Sequence, residues 1–235
     1  MDGIADALQS HQTASLCGIS GLGKSSVVLK YAEKHDELYK HIVFIRVDRL
    51  GFEANIDKTC ESLGLSFTPE DNEESKAMKF CRKIEEICEN LPETKRLLLI
   101  FDNVDEVERL RKFLPAHPNL HLLLTSNFER IHRLGQQVEI GNLSEDEAML
   151  LLCRNASLTN ADNLEHLSDE ERETIRTIVG LFGFHPLAIF IAGNYIYENQ
   201  KTFAKYLARL QNSQGKILKD ERGVDAYQHQ NIGAI

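Results

Sequence analysis

Apolar positions along this chain follow two different rhythms, one before about Ile140 and another after Leu143. In the first part, short apolar runs alternate with amphipathic stretches. Ala14–Ile19 is a brief apolar run and predicts a buried strand. Lys24 to about His35 predicts a helix, with Val27, Val28, Tyr31 and Ala32 on its inner side. His41–Val47 ("HIVFIRV") predicts a second strand. Ala77, Cys81, Ile84, Cys88 and Leu91 then recur at helical spacing with charged residues between them. Two further runs, Arg96–Asp102 ("RLLLIFD") and His121–Ser126 ("HLLLTS"), are apolar at consecutive positions and therefore on both faces. Such runs suit central strands of a parallel sheet covered by helices on each side. Gln136–Ile140 predicts a fifth, weaker strand. Strands alternating with helices predict a three-layer α/β fold.

After Leu143 the period is helical throughout, and no further strand is expected. Ser144 with Glu147, and Ser168 with Glu171, are spaced as capping boxes at helix starts. Pro186 stands where the first turn of "PLAIFIAGNYIY" begins, a position proline favours. That helix is apolar nearly all round, which predicts burial on every side. Phe203, Tyr206, Leu207 and Leu210 mark a fourth helix. The expected organisation is an α/β domain over residues 1–143, a small helical domain over 144–218, and the start of a further domain or linker over 219–235.

Composition narrows the picture. The chain has 235 residues and a formal net charge of -9. An acidic chain repels nucleic acid and anionic lipid, so no direct nucleic-acid or membrane contact is expected of this segment. No stretch approaches the roughly 20 apolar residues that span a bilayer, and the N-terminus lacks the basic start and apolar core of a secretory signal. The five cysteines form no C-x-x-C pair and read as reduced core residues of a cytoplasmic protein.

The chemistry concentrates where the first strand meets the first helix. Gly18-Ile19-Ser20-Gly21-Leu22-Gly23-Lys24-Ser25, followed by Ser26, fits G-x-x-x-x-G-K-[ST]. A phosphate wrapped by backbone N–H groups needs small residues and positive φ angles. The loop then runs into a helix N-terminus, whose free N–H groups favour anions. Lys24 can reach the β- and γ-phosphates, and Ser25 can offer its hydroxyl to Mg²⁺. A carboxylate should complete the cation site. Asp102 closes the apolar run Leu97–Phe101, which delivers it to the carboxyl edge of the sheet. The next residue, Asn103, is an amide and cannot take a proton from water at neutral pH, so hydrolysis should be slow. Asp105 reads either as a substitute base or as a helix cap. Thr125-Ser126-Asn127, with Arg130 three residues on, either faces the γ-phosphate or forms a surface turn.

"GISGLGKSS", "LLLIFDNVD", "LLLTSNFER", "NLSEDEAMLLL" and "GFHPLAIFIAGNYI" together resemble the NB-ARC domain over about residues 1–215. These are signal-transduction ATPases of the STAND class of P-loop NTPases, found in plant disease-resistance proteins, apoptotic-protease activators and bacterial regulators. The resemblance implies a P-loop fold with a five-stranded parallel sheet of ASCE-type order, the Asn127 strand lying between the P-loop and Asp102 strands. It implies binding of ADP or ATP with Mg²⁺, contact of Pro186 with the nucleotide, and His185 as a motif variant near the pocket. It implies a switch: ADP keeps the protein closed, and ATP opens it and allows self-association through the nucleotide domain. Immunity, cell death or transcription control are the processes implied, governed with sensor and effector domains outside this chain. "GVDAYQHQNIGAI" looks like the entry to a winged-helix domain, so the chain is expected to be a piece of a larger protein. The family usually has Thr-Thr-Arg where this chain has Thr125-Ser126-Asn127, which leaves Arg130 as a candidate for the γ-phosphate arginine. Two other readings stay in view: an AAA-like turnover ATPase, and the switch domain of a DNA-binding regulator.

Overall fold

The computed structural model describes residues 2–156, 163–165 and 167–217. The segment 219–235, expected to open a further domain, lies outside the described residues. The chain divides into two compact units, up to Ile140 and from Gly141.

The first unit runs α1 (Asp2–His11), β1 (Thr13–Cys17), α2 (Lys24–Lys34), β2 (Tyr39–Arg46), α3 (Phe52–Ser62), α4 (Glu73–Glu89), β3 (Arg96–Asp102), α5 (Val107–Arg111), β4 (Leu120–Ser126) and β5 (Gln136–Glu139). All described pairings are parallel, in the order β2-β3-β4-β1-β5. β4 therefore lies between β1 and β3, as the family resemblance implied.

The continuous apolar run of β3 is explained by its two faces. Successive strand residues point to opposite sides. Leu97, Leu99 and Phe101 join Ile56 of α3 and Phe80 and Ile84 of α4 in one core cluster. Leu98 and Ile100 join Ile4 and Leu8 of α1 and Val28 and Tyr31 of α2 in another. Neither α1 nor α3 was expected from the sequence. Each is held by a narrow stripe, Ile4-Ala7-Leu8 or Phe52-Ile56-Cys60, on an otherwise polar helix. The strand limits also moved: β1 ends at Cys17, two residues short of Ile19, because the backbone there already turns into the glycine loop.

The second unit holds α6 (Glu145–Asn155), α7 (Asp169–Leu181), α8 (Pro186–Glu198) and α9 (Phe203–Ile217). Both expected capping boxes form, with the Ser144 and Ser168 hydroxyls meeting the Glu147 and Glu171 amides and carboxylates. Pro186 occupies the start of α8. α6 and α8 approach so closely at Gly193 that a Cβ there would lie 2.5 Å from the Asn155 Cβ.

The expectation that α8 is buried all round is wrong. Ala188, Ile189, Ala192, Gly193 and Ile196 are buried, but Phe190 is 46% and Tyr197 58% exposed. Apolar content predicts burial only where there are enough neighbours to surround a helix. Here one side packs on the core shared with α6, α7 and α9, and the other side stays open within the unit. The five cysteines are free thiols; Cys60, Cys88 and Cys153 are buried, while Cys17 and Cys81 are half-buried. Among the described residues, no helix is long and apolar enough to cross a membrane.

Candidate phosphate and cation site

The loop between β1 and α2 is built for a tight backbone turn. Gly21 and Gly23 both sit at φ 85°, in the left-handed region that a Cβ disfavours. Gly23 is the N-cap of α2, and no side chain caps the helix. Gly23 has no side chain to offer the first-turn N–H groups of this 11-residue helix, and the helix dipole adds to their attraction for an anion. Ile19 and Ser20 are exposed, Gly18 and Leu22 are half-buried, and Ser26 is exposed on the first turn.

Lys24 begins α2 yet is buried, at 8% exposure. Its ammonium donates to the carbonyls of Gly18 (2.7 Å) and Ile19 (2.9 Å) and to Asn127 Oδ1 (2.8 Å). Burial pulls its pKa below the usual lysine value, against the opposing pull of nearby Cys17 and Asp102. A polyanionic ligand would favour the charged form of such a group.

One residue along, Ser25 Oγ donates to Asp102 Oδ1 at 2.7 Å. Asp102, at 6% exposure, ends β3 and so stands at the carboxyl edge of the sheet. A hydroxyl and a carboxylate at this distance form a hard-oxygen donor pair, the kind that suits Mg²⁺. Asn103 follows at φ 60°, a left-handed backbone that asparagine tolerates better than most residues.

Thr125 and Ser126 are both buried and bonded to β3 and its following loop. Asn127 is the exposed member of the trio, and it meets Lys24. Arg130 is exposed on a 3-10 turn, Glu129–Arg133. Asn127 and Arg130 also line a cavity of about 990 Å³ with Asp105, Glu106, Arg109 and Phe128. Asp105 is not a helix cap. The N-cap position of α5 is Glu106, whose side chain makes no capping bond, and Asp105 Oδ2 accepts the Arg49 N–H at 3.1 Å, tying the two loops at the strand ends together. Pro186 belongs to the second unit. The structure therefore joins Gly18, Ile19, Lys24 and Asn127 in one group and Ser25, Asp102 and Asn103 in another. The link that Thr125 makes between Asp102 and Asn103 was missed; a hydroxyl at the last-but-one position of the neighbouring strand was its faint signal.

Known proteins match at three levels. The NB-ARC domain matches residues 1–162. Regulatory protein AfsR of Streptomyces griseus is 27% identical over 135 residues, 57% of this chain and 12% of that protein, so the chain spans a small fraction of this relative. Among solved structures, the Walker-type ATPase paby2304 of Pyrococcus abyssi is similar with a TM-score of 0.59 at 15% identity, covering 97% of this chain and 74% of that one. Drosophila ORC bound to DNA is similar with a TM-score of 0.51 at 13% identity, covering 86% of this chain and 61% of that one. At such identities the structures speak for the fold, and the fold they share is the P-loop ATPase fold. The glycine loop entering α2, the Ser25–Asp102 pair and the match over most of the chain agree: the chain is a nucleotide-binding module and belongs to the NB-ARC family.

Proposed function

We propose that this chain is the nucleotide-operated switch of a larger signalling protein, holding ADP or ATP with Mg²⁺ and hydrolysing ATP slowly. The observation that carries the reading is the arrangement at the head of α2. An uncapped helix N-terminus, a buried lysine and a Ser25–Asp102 oxygen pair converge on one sheet edge. The backbone N–H groups of Gly21–Ser26 and the Lys24 ammonium would hold the phosphates. Ser25 and Asp102 would hold Mg²⁺, which would supply positive charge to offset that of the phosphates. Asn127, which meets Lys24, and Arg130 would respond to a γ-phosphate. Pro186, at the start of α8, is the contact proposed from the helical unit. Adenine preference, ATP-dependent self-association, the missing sensor and effector domains, a role in immunity or cell death, and a cytoplasmic setting follow from the family and are part of the proposal.

Nucleotide released by denaturing the purified protein should be ADP, identified by chromatography. Light scattering should give a larger mass with a non-hydrolysable ATP analogue than with ADP. Steady phosphate release at several turnovers per minute, with one mass in both nucleotides, would instead mark a turnover ATPase.

The slow hydrolysis has its own test. Asn103→Asp puts a carboxylate after Asp102 without demanding a new backbone, since aspartate also tolerates φ near 60°. Single-turnover hydrolysis should rise severalfold, with ADP affinity nearly unchanged. An unaltered rate would mean that the missing base at this position is not what limits the reaction.

A further inference from the structure

The end of β4 is fastened to the end of β3 by more than sheet pairing. Thr125, at 1% exposure, uses both its side chain and its backbone on three consecutive residues. Its hydroxyl donates to Asp102 Oδ1 at 2.6 Å. The same oxygen accepts the Asn103 N–H at 2.9 Å, and the Thr125 carbonyl accepts the Val104 N–H at 2.8 Å. Ser126 continues the seam: its hydroxyl donates to the Val104 carbonyl at 2.6 Å and accepts the Phe128 N–H at 3.0 Å. Asn127, the partner of Lys24, is held between Ser126 and Phe128.

The inventory of a hydroxyl makes this consequential. Threonine has one proton to donate and two lone pairs to accept with. The proton goes to the carboxylate, a charge-assisted bond and so among the stronger kinds. One lone pair goes to the amide of Asn103, whose backbone is left-handed at φ 60°. Asp102 Oδ1 then carries two hydroxyl donors, Thr125 and Ser25.

We propose that Thr125 is the positioning residue of the cation site: its hydroxyl sets the rotation of the Asp102 carboxylate and holds the left-handed turn at Asn103, coupling both to the strand end that carries Asn127. The proposal rests on the reading that Asp102 serves Mg²⁺. It adds a definite relation to that reading, because a shift of Asn127 along β4 would rotate Asp102 through Thr125.

The test is the Mg²⁺ dependence of nucleotide binding. A fluorescent ADP is titrated into the protein in MgCl₂ and in EDTA, and the ratio of the two affinities is the Mg²⁺ enhancement. Thr125→Val keeps shape and loses the hydroxyl. It should cut the enhancement by about fivefold or more while EDTA affinity stays within about twofold. Thr125→Ser, which keeps the hydroxyl, should restore it, and Asp102→Ala should abolish it. If Thr125→Val does not fold, Thr125→Cys takes its place, since a thiol is a weak donor; full enhancement in that variant overturns the proposal. Full enhancement in a folded Thr125→Val, beside loss in Asp102→Ala, overturns the role of Thr125 and leaves the cation reading standing. Equal loss in EDTA and MgCl₂ would show that Thr125 only supports the fold, which also overturns it. No enhancement in the unaltered protein, or full enhancement in Asp102→Ala, removes the cation reading and this proposal with it.

Discussion

Replacing Lys24 with alanine is expected to weaken ADP and ATP binding at least about tenfold, or about 1.4 kcal/mol. Lys24 is the cation within the glycine loop, and it is buried beside the helix terminus that would hold the phosphates. The side chain also makes three hydrogen bonds inside the protein, to Gly18, Ile19 and Asn127. Those partners lie in half-buried or exposed residues, so water can replace the ammonium when it is removed. The melting temperature without nucleotide should therefore move little, and the loss should appear in affinity. Lys24→Arg should recover little of it, because a planar guanidinium cannot reproduce a compact ammonium reaching three oxygens. Isothermal titration with both nucleotides, beside thermal melting, separates the two effects. Unchanged affinity in Lys24→Ala would remove the phosphate assignment.

Acid is expected to weaken the first unit through His121. This residue lies on the central strand β4 at 3% exposure. Its Nδ1 pairs with the Tyr39 hydroxyl at 2.8 Å, and that hydroxyl pairs with Tyr31 at 3.2 Å. Burial, with some repulsion from Arg96, pushes the imidazole pKa down to about 4 from 6.5. The folded value lies below the unfolded one, so between them the unfolded chain binds more protons. Stability from this group is fully present above about pH 6.5 and is lost as pH falls towards 4. The loss approaches about 3 kcal/mol, or roughly 1.4 kcal/mol for each pH unit within the window. Other groups contribute to acid unfolding, and His121→Leu isolates this one. Denaturant unfolding at pH 7, 6 and 5 should show a steeper fall in the parent than in the variant. Parallel curves would mean that His121 charges freely in the fold.

Much of the site was legible because its chemistry is local. Phosphate binding by backbone N–H groups needs glycines, a lysine and a helix start within a few residues, and Gly18–Ser25 supplies them in order. The capping boxes at Ser144 and Ser168 were legible for the same reason, since each is closed over three residues. Asp102 was legible because an apolar strand ending in a carboxylate announces its place at a sheet edge. The sheet order came from the family resemblance and not from periodicity, which is blind to which strand pairs with which.

What the sequence determined by itself, then, was the set of elements that carry the phosphate loop, the residue that ends β3, and the alternation that makes a parallel sheet. Tertiary structure decided the rest. Thr125 meets Asp102 across 23 positions of sequence, and Lys24 meets Asn127 across 103. Both contacts depend on strand register and on where each strand stops, neither of which is encoded in local spacing. The left-handed backbone of Asn103 arises because the chain must leave β3 while bonded to β4. The open face of α8 reflects how many helices pack against it, not how apolar it is. Local periodicity reports what a segment can bury; only the assembled fold supplies the neighbours that do the burying and the partners that fix each polar group.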